Sequence, residues 1–124
     1  MNAYAEKLIA DAVYESVYGI ITQHRTAARR AGKNSVRVKI RLAEIRESVK
    51  SRLDGLRGGV DESDASLAEY NAAVKVLRVP TCVELRTTWL PKVLHGWEKV
   101  SVTRHAIELE IIVPPPRNIF RTSS

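Results

Sequence analysis

From Ala5 to Ile21 the apolar positions recur every three or four residues. Ala5, Leu8, Ile9, Ala12, Val13, Val17, Ile20 and Ile21 make one stripe, and the pattern predicts a long amphipathic helix. Tyr14 and Tyr18 stand one turn apart on its flank, where their rings can stack with the hydroxyls toward water or a partner. Ala27, Ala28 and Ala31 extend the helical pattern until Gly32, Lys33 and Asn34 break it. The period then falls to two. In SVRVKIRL, Val36, Val38, Ile40 and Leu42 alternate with Arg37, Lys39 and Arg41, and the β-branched residues favour a strand that gives way to helix near Leu42.

Ile45, Val49, Leu53 and Leu56 then mark a second helix over 43–56, ended by Gly58-Gly59. Ser66 with Glu69 three residues on has the form of a capping box, with Ser63 as an earlier alternative and Asp61, Glu62 and Asp64 suited to a helix N-terminus. Leu67, Tyr70, Asn71, Val74 and Leu77 give that third helix its inner face, and Val79-Pro80 ends it. Beyond Pro80 a second change of period predicts strands. Val83 and Leu85 oppose Glu84 and Arg86 over 81–89, Val100 and Val102 face inward over 99–103, and Ile107, Leu109, Ile111 and Val113 face inward over 107–113. Even positions point in before His105 and odd ones after it, so a turn or bulge is required near Arg104-His105-Ala106. Glu108 and Glu110 would form cross-strand pairs with Arg86 or Lys99.

These elements predict an α+β fold, with three helices packed on one face of a small antiparallel sheet of three to four strands. At 124 residues, a single domain over 1–116 is expected, with 117–124 as a C-terminal tail that Ile119 and Phe120 could dock. No apolar run reaches the roughly 20 residues of a membrane span, and Glu6, Lys7, Asp11 and Glu15 interrupt the N-terminal one. No membrane association is expected. Cys82 is the single cysteine, which excludes an internal disulfide and fits a reducing, cytoplasmic setting and a small buried side chain.

Charge changes the picture more. Residues 25–57 hold eleven Lys or Arg against three acids, a local +8 in a chain of net charge +6. Such clustering draws polyanions, so nucleic acid or an acidic or nucleoprotein surface is the expected partner, although a solvated basic face would have the same composition. The candidate contacts are Arg25, Arg29, Arg30, Lys33, Arg37, Lys39, Arg41, Arg46 and Lys50. On one strand face, Arg37, Lys39 and Arg41 repeat at about 6.6–7 Å, close to the spacing of successive phosphates.

The order of 35–78, a strand SVRVKIRL followed by AEIRESVKSRLDGL and SLAEYNAAVKVLR, resembles the ribbon-helix-helix repressors. That resemblance implies a strand paired with its dimer mate in the major groove, with Arg37, Lys39 and Arg41 as base readers. It covers about a third of the chain. The chain departs from the pattern in its long interhelix linker with a double glycine, in Asp61, Glu62 and Asp64 where the family brings a helix to phosphate, and in its additional N- and C-terminal elements.

No phosphate-binding glycine loop, dinucleotide fingerprint, HExxH pair or GxSxG elbow occurs, and His24, His95 and His105 are dispersed. No catalytic residue, metal site or cofactor is assigned. The favoured function is therefore non-catalytic binding of nucleic acid or a nucleoprotein through 25–57. The rival is a protein-interaction module, such as an accessory or inhibitor protein of a phage or mobile element that docks on a host complex, using Trp89 and Trp97 of the LPKVLHGW connection with Tyr14 and Tyr18. A homodimer is left open.

Overall fold

The computed structural model describes residues 3–59, 63–95 and 100–113. The expectations for Asp61, Glu62, Trp97, Lys99 and the tail 117–124 concern residues outside those described. The chain is α+β: α1 (Ala3–Arg30), β1 (Ser35–Arg41), α2 (Leu42–Gly58), a 3-10 turn (Ala65–Leu67), α3 (Ala68–Lys75), a helical run α4, β2 (Val100–Val102) and β3 (Ala106–Ile112). The run α4 has three parts, Cys82–Glu84, a π-helical Leu85–Trp89, and Leu90–Val93.

The three strands form one antiparallel sheet in the order β1-β3-β2. SVRVKIR is a strand that gives way to helix at Leu42, as its alternation predicts, and it pairs with β3 along its whole length, from Ser35 opposite Ile112 to Arg41 opposite Ala106. Val38, Ile40, Ile107, Leu109 and Ile111 are buried on the inner face. Helices α1 and α2 pack there, contributing Ile9, Val13, Val17 and Ile21 from one and Ile45, Val49 and Leu53 from the other. The opposite face of the sheet carries the charges.

Two junctions set this arrangement. Helix α1 ends in a left-handed Gly32, φ 73°, with the Gly32 N–H donating to Arg29 O and the Lys33 N–H to Ala28 O. This is the Schellman pattern of helix termination, and it turns the chain from α1 into β1. At the other end of β1 the Leu42 N–H donates to His105 O at 2.8 Å, so the strand passes into α2 with its first helical N–H held by the β2–β3 turn. That turn is closed by Thr103, whose N–H and hydroxyl donate to Ala106 O while the Ala106 N–H donates to its Oγ1. The required change of register thus lies where the alternation places it.

Residues 81–89 are not a strand. Thr81 caps α4: its Oγ1 accepts from the Glu84 N–H at 3.1 Å, and Glu84 Oε1 accepts from the Thr81 N–H at 3.2 Å. Val83, which alternation places in the core, is 59% exposed, while Leu85, Trp89, Leu90 and Leu94 are buried. The π stretch accounts for the five-residue step between Leu85 and Leu90. Pro91 has no N–H for the Thr87 carbonyl and its ring would crowd it; widening the preceding turn, with the Leu90 N–H reaching back to Leu85 O, relieves that clash. The expected cap of the third helix falls instead on the 3-10 turn that leads into it, and α3 itself, with Leu67 at its N-cap, has no side-chain cap. Asp64 Oδ1 accepts from the Ser66 N–H and hydroxyl at 2.9 and 2.7 Å, so Ser66 is a donor and not the cap, and Leu67 lies at the surface. Those two bonds, the hydroxyl's first, hold the Asp64 carboxyl below its ordinary pKa.

The capping box makes α4 testable. Thr81→Ala is expected to lower unfolding free energy in urea by about 1 kcal/mol. The Thr81 N–H, and then the Arg78 charge, hold the Glu84 carboxyl below its ordinary pKa. The contribution of the Glu84 carboxylate is therefore complete above the ordinary carboxylate range and is lost as pH falls through the lowered value. The wild-type excess over Glu84→Gln should thus shrink in acid, while the excess over Thr81→Ala, which keeps the backbone N–H, should change less.

Candidate functional site

The structure divides the basic segment into three sets. Arg29 and Arg30 lie in the last turn of α1, where cations offset the negative end of the helix dipole, and Lys33 follows in the turn. Arg25 is only half-exposed. On α2, Arg46 is half-buried and its Nε donates to Pro80 O at 3.1 Å, tying α2 to the start of α4. Arg52 binds Glu15 of α1 at 2.9 Å, and Arg57 pairs with Asp54 at 3.2 Å and donates to Leu77 O beyond α3. These arginines of α2 join helices, which leaves Lys50 as an exposed cation on that element.

Arg37, Lys39 and Arg41 do share the solvent face of β1, but they do not stand there alone. Arg37 lies opposite Glu110 and Lys39 opposite Glu108 across the β1–β3 pair, while the expected pairing with Lys99 concerns a residue outside those described. Arg86 belongs to the π stretch of α4. Cross-strand pairing of opposite charges stabilises a sheet by a few tenths to about 1 kcal/mol and lowers the free charge at the Arg37 end. Arg41 is opposite Ala106 and has no such neutralisation.

At that end the structure adds a residue that segment-based counting misses. Lys39, Arg41, Arg104 and His105 line one open hollow with Leu42, Ala43, Cys82 and Ala106, and no carboxylate is among its lining residues. Arg104 is 47 residues beyond the end of the basic segment. The β2–β3 turn carries it there, because the same turn bonds to Leu42. A second hollow, between β1 and β2, is lined by Arg37, Ser101, Glu108, Leu109 and Glu110, with mixed charge. The open face of the sheet is therefore graded, from balanced charge at Arg37 to cationic at Arg41.

Comparison with protein-family models, curated proteins and solved structures gave no match. The chemistry of this face must carry the functional reading unaided.

The aromatic candidates separate. Trp89 is 5% exposed and packed in the core, with Lys92 Nζ 5.3 Å from its ring centroid, so it is not an exposed anchor; Trp97 lies outside the described residues. Tyr14 and Tyr18 are stacked as their spacing predicts, centroids 5.9 Å apart and planes 12° from parallel, and both are nearly half exposed. They line a small apolar hollow with Val17, Ile21, Val93 and Leu94. Among the described residues no helix is long and apolar enough to cross a membrane, and no group of three or more His, Cys, Asp or Glu gathers as a metal site.

The charge pairing across β1 and β3 gives a direct check. Lys39→Glu would set a second carboxylate directly opposite that of Glu108 and is expected to cost about 1 kcal/mol in urea unfolding. Lys50→Glu, which opposes no carboxylate across a strand, should cost less.

Proposed function

We propose that this is a non-catalytic binding protein that contacts the backbone of a nucleic acid, free or in a nucleoprotein, through the Arg41 end of its open sheet face. The observation that carries the reading is the convergence of Lys39, Arg41 and Arg104 on one hollow whose lining residues include no carboxylate. Three cations from two elements distant in sequence form a positive field, in which Lys39 also faces Glu108 across the strands while Arg41 and Arg104 do not face a carboxylate in the hollow. Polyanions are drawn to such fields by release of condensed counterions. The basic segment as a whole is not the proposed contact. Its α2 arginines are engaged between helices, and Arg29 and Arg30 suit the C-terminus of α1.

Such a contact gives affinity without base reading, since phosphate bonds position a protein but carry no sequence information. It also separates this chain from the ribbon-helix-helix arrangement. Here the basic strand is already paired within its own chain, to β3, and is an edge of a three-stranded sheet.

A second reading, docking on a protein, is favoured by the exposed Tyr14–Tyr18 stack beside Val93 and Leu94. Purification with and without nuclease separates the two. The first reading expects co-purifying nucleic acid that nuclease removes. The second expects a stoichiometric protein that survives nuclease and is lost in a Tyr14→Ser, Tyr18→Ser variant.

The principal test is binding of a labelled short duplex and a single-stranded RNA across a salt series. The combined Lys39→Ala, Arg41→Ala, Arg104→Ala variant is expected to lose about tenfold or more in affinity at low salt and to flatten the logarithmic salt slope by about three. Arg29→Ala with Arg30→Ala should change both less. No binding by the wild-type protein at low salt would overturn the reading.

A further inference from the structure

The hydrogen-bond register shows what the two edges of β1 present. Leu42 N–H to His105 O and Val113 N–H to Asn34 O continue the β1–β3 ladder at its two ends, both at 2.8 Å. Bonded pairs alternate along an antiparallel ladder, so Val36, Val38 and Ile40 exchange both backbone bonds with β3. The N–H and C=O groups of Arg37, Lys39 and Arg41 therefore point away from β3, along the outer edge. Among the described residues no strand pairs with that edge.

The residues with outward backbone groups are the ones whose side chains are cationic and exposed. We propose that this edge is a docking site for an extended acidic segment of a partner protein, which adds to the sheet as a fourth, antiparallel strand with carboxylates at alternate positions opposite Arg37, Lys39 and Arg41. The partner chemistry follows from charge and from a precedent inside the molecule. On its inner edge β1 already accepts a strand of this kind, since β3 sets Glu110 and Glu108 opposite Arg37 and Lys39 with apolar residues between. An added strand of the same pattern would bond to three backbone sites and place its carboxylates across from cations, while its intervening apolar residues extended the inner face beside half-exposed Val36.

A second copy of β1 does not fit. In an antiparallel pair centred on Lys39, the arginines and lysine of each copy would stand directly opposite those of the other, and like charges so placed are destabilising. The edge is thus selective: closed to itself and open to an acidic strand. The inference is independent of the nucleic-acid reading, because it turns on backbone groups that phosphate contact with the side chains does not engage.

The test is amide hydrogen exchange on the unaltered protein with a soluble peptide that extends the β3 pattern to three glutamates, Ile-Glu-Leu-Glu-Ile-Glu-Ile. Saturating peptide is expected to slow exchange about tenfold or more at the Arg37, Lys39 and Arg41 amides and to leave Val38 and Ile40 unchanged. The same peptide with Lys for Glu should protect nothing, and a short DNA duplex should leave those three amides unprotected. In binding, Lys39→Pro, which removes an outward N–H and no ladder bond, should weaken the peptide about tenfold, and more than Lys39→Ala, which removes only the charge. No slowing at the three amides, or equal slowing with the Lys peptide, would overturn the proposal. So would equal binding by an acidic peptide interrupted with prolines.

Discussion

The antiparallel pairing of β1 with β3 is the interaction on which the rest of the molecule depends. It joins residues more than sixty positions apart, Ser35 with Ile112 and Arg41 with Ala106, and so closes the N-terminal helices and the C-terminal hairpin around one core. Its apolar pairs, Val36 with Ile111, Val38 with Leu109 and Ile40 with Ile107, make the surface on which α1 and α2 pack. Two of the intervening pairs, Arg37 with Glu110 and Lys39 with Glu108, set opposite charges across the ladder. A one-residue slip would bury Arg37 and Lys39 and expose the apolar set, so burial of one face specifies the register strongly. The same register decides that three cations stand on the open side and that their backbone groups face outward.

This constraint also sorts the positive charge. A sequence cluster of eleven cations suggests one continuous patch. Folding distributes it among helix-to-helix ties at Arg46, Arg52 and Arg57, a helix C-terminus at Arg29 and Arg30, and the sheet face. On that face Glu108 and Glu110 offset the Arg37 end, and Arg104 strengthens the Arg41 end. Linear charge density is thus a poor guide to surface potential here. What counts is which residues the sheet brings opposite one another.

Much of the fold was legible in the residues. The stripe of α1, the alternation of SVRVKIRL and the helix after Leu42 each rest on a periodicity that burial enforces. The change of register before Ala106 shows instead in the pairing of Val100 with Leu109 and Val102 with Ile107, with Val102 itself exposed and not facing the core. The α+β class with helices over a small antiparallel sheet followed from them. Residues 81–89 misled because Val83, Glu84, Leu85 and Arg86 alternate over four positions, too few to separate a strand from one helical turn. The discriminating signal was present in Thr81 and Glu84, which have capping-box spacing directly after Pro80. Before α3 the carboxylate of Asp64 caps the 3-10 turn, where spacing alone gave a cap to Ser66. At the candidate site, Arg37, Lys39 and Arg41 were legible as one face. Their glutamate partners and Arg104 were not, because those depend on which strands become neighbours.

The proposed contact sets an anionic partner on the open sheet face at its Arg41 end, and not on the helical surface of the basic segment. Backbone-amide chemical-shift mapping during titration with a short oligonucleotide addresses it most directly. Such a contact predicts saturable shifts centred on Lys39, Arg41 and Arg104, with the exposed faces of α1 and α2 little changed. Shifts centred on Arg29, Arg30 and Lys50, or on Tyr14 and Tyr18, with the sheet face silent, would contradict it.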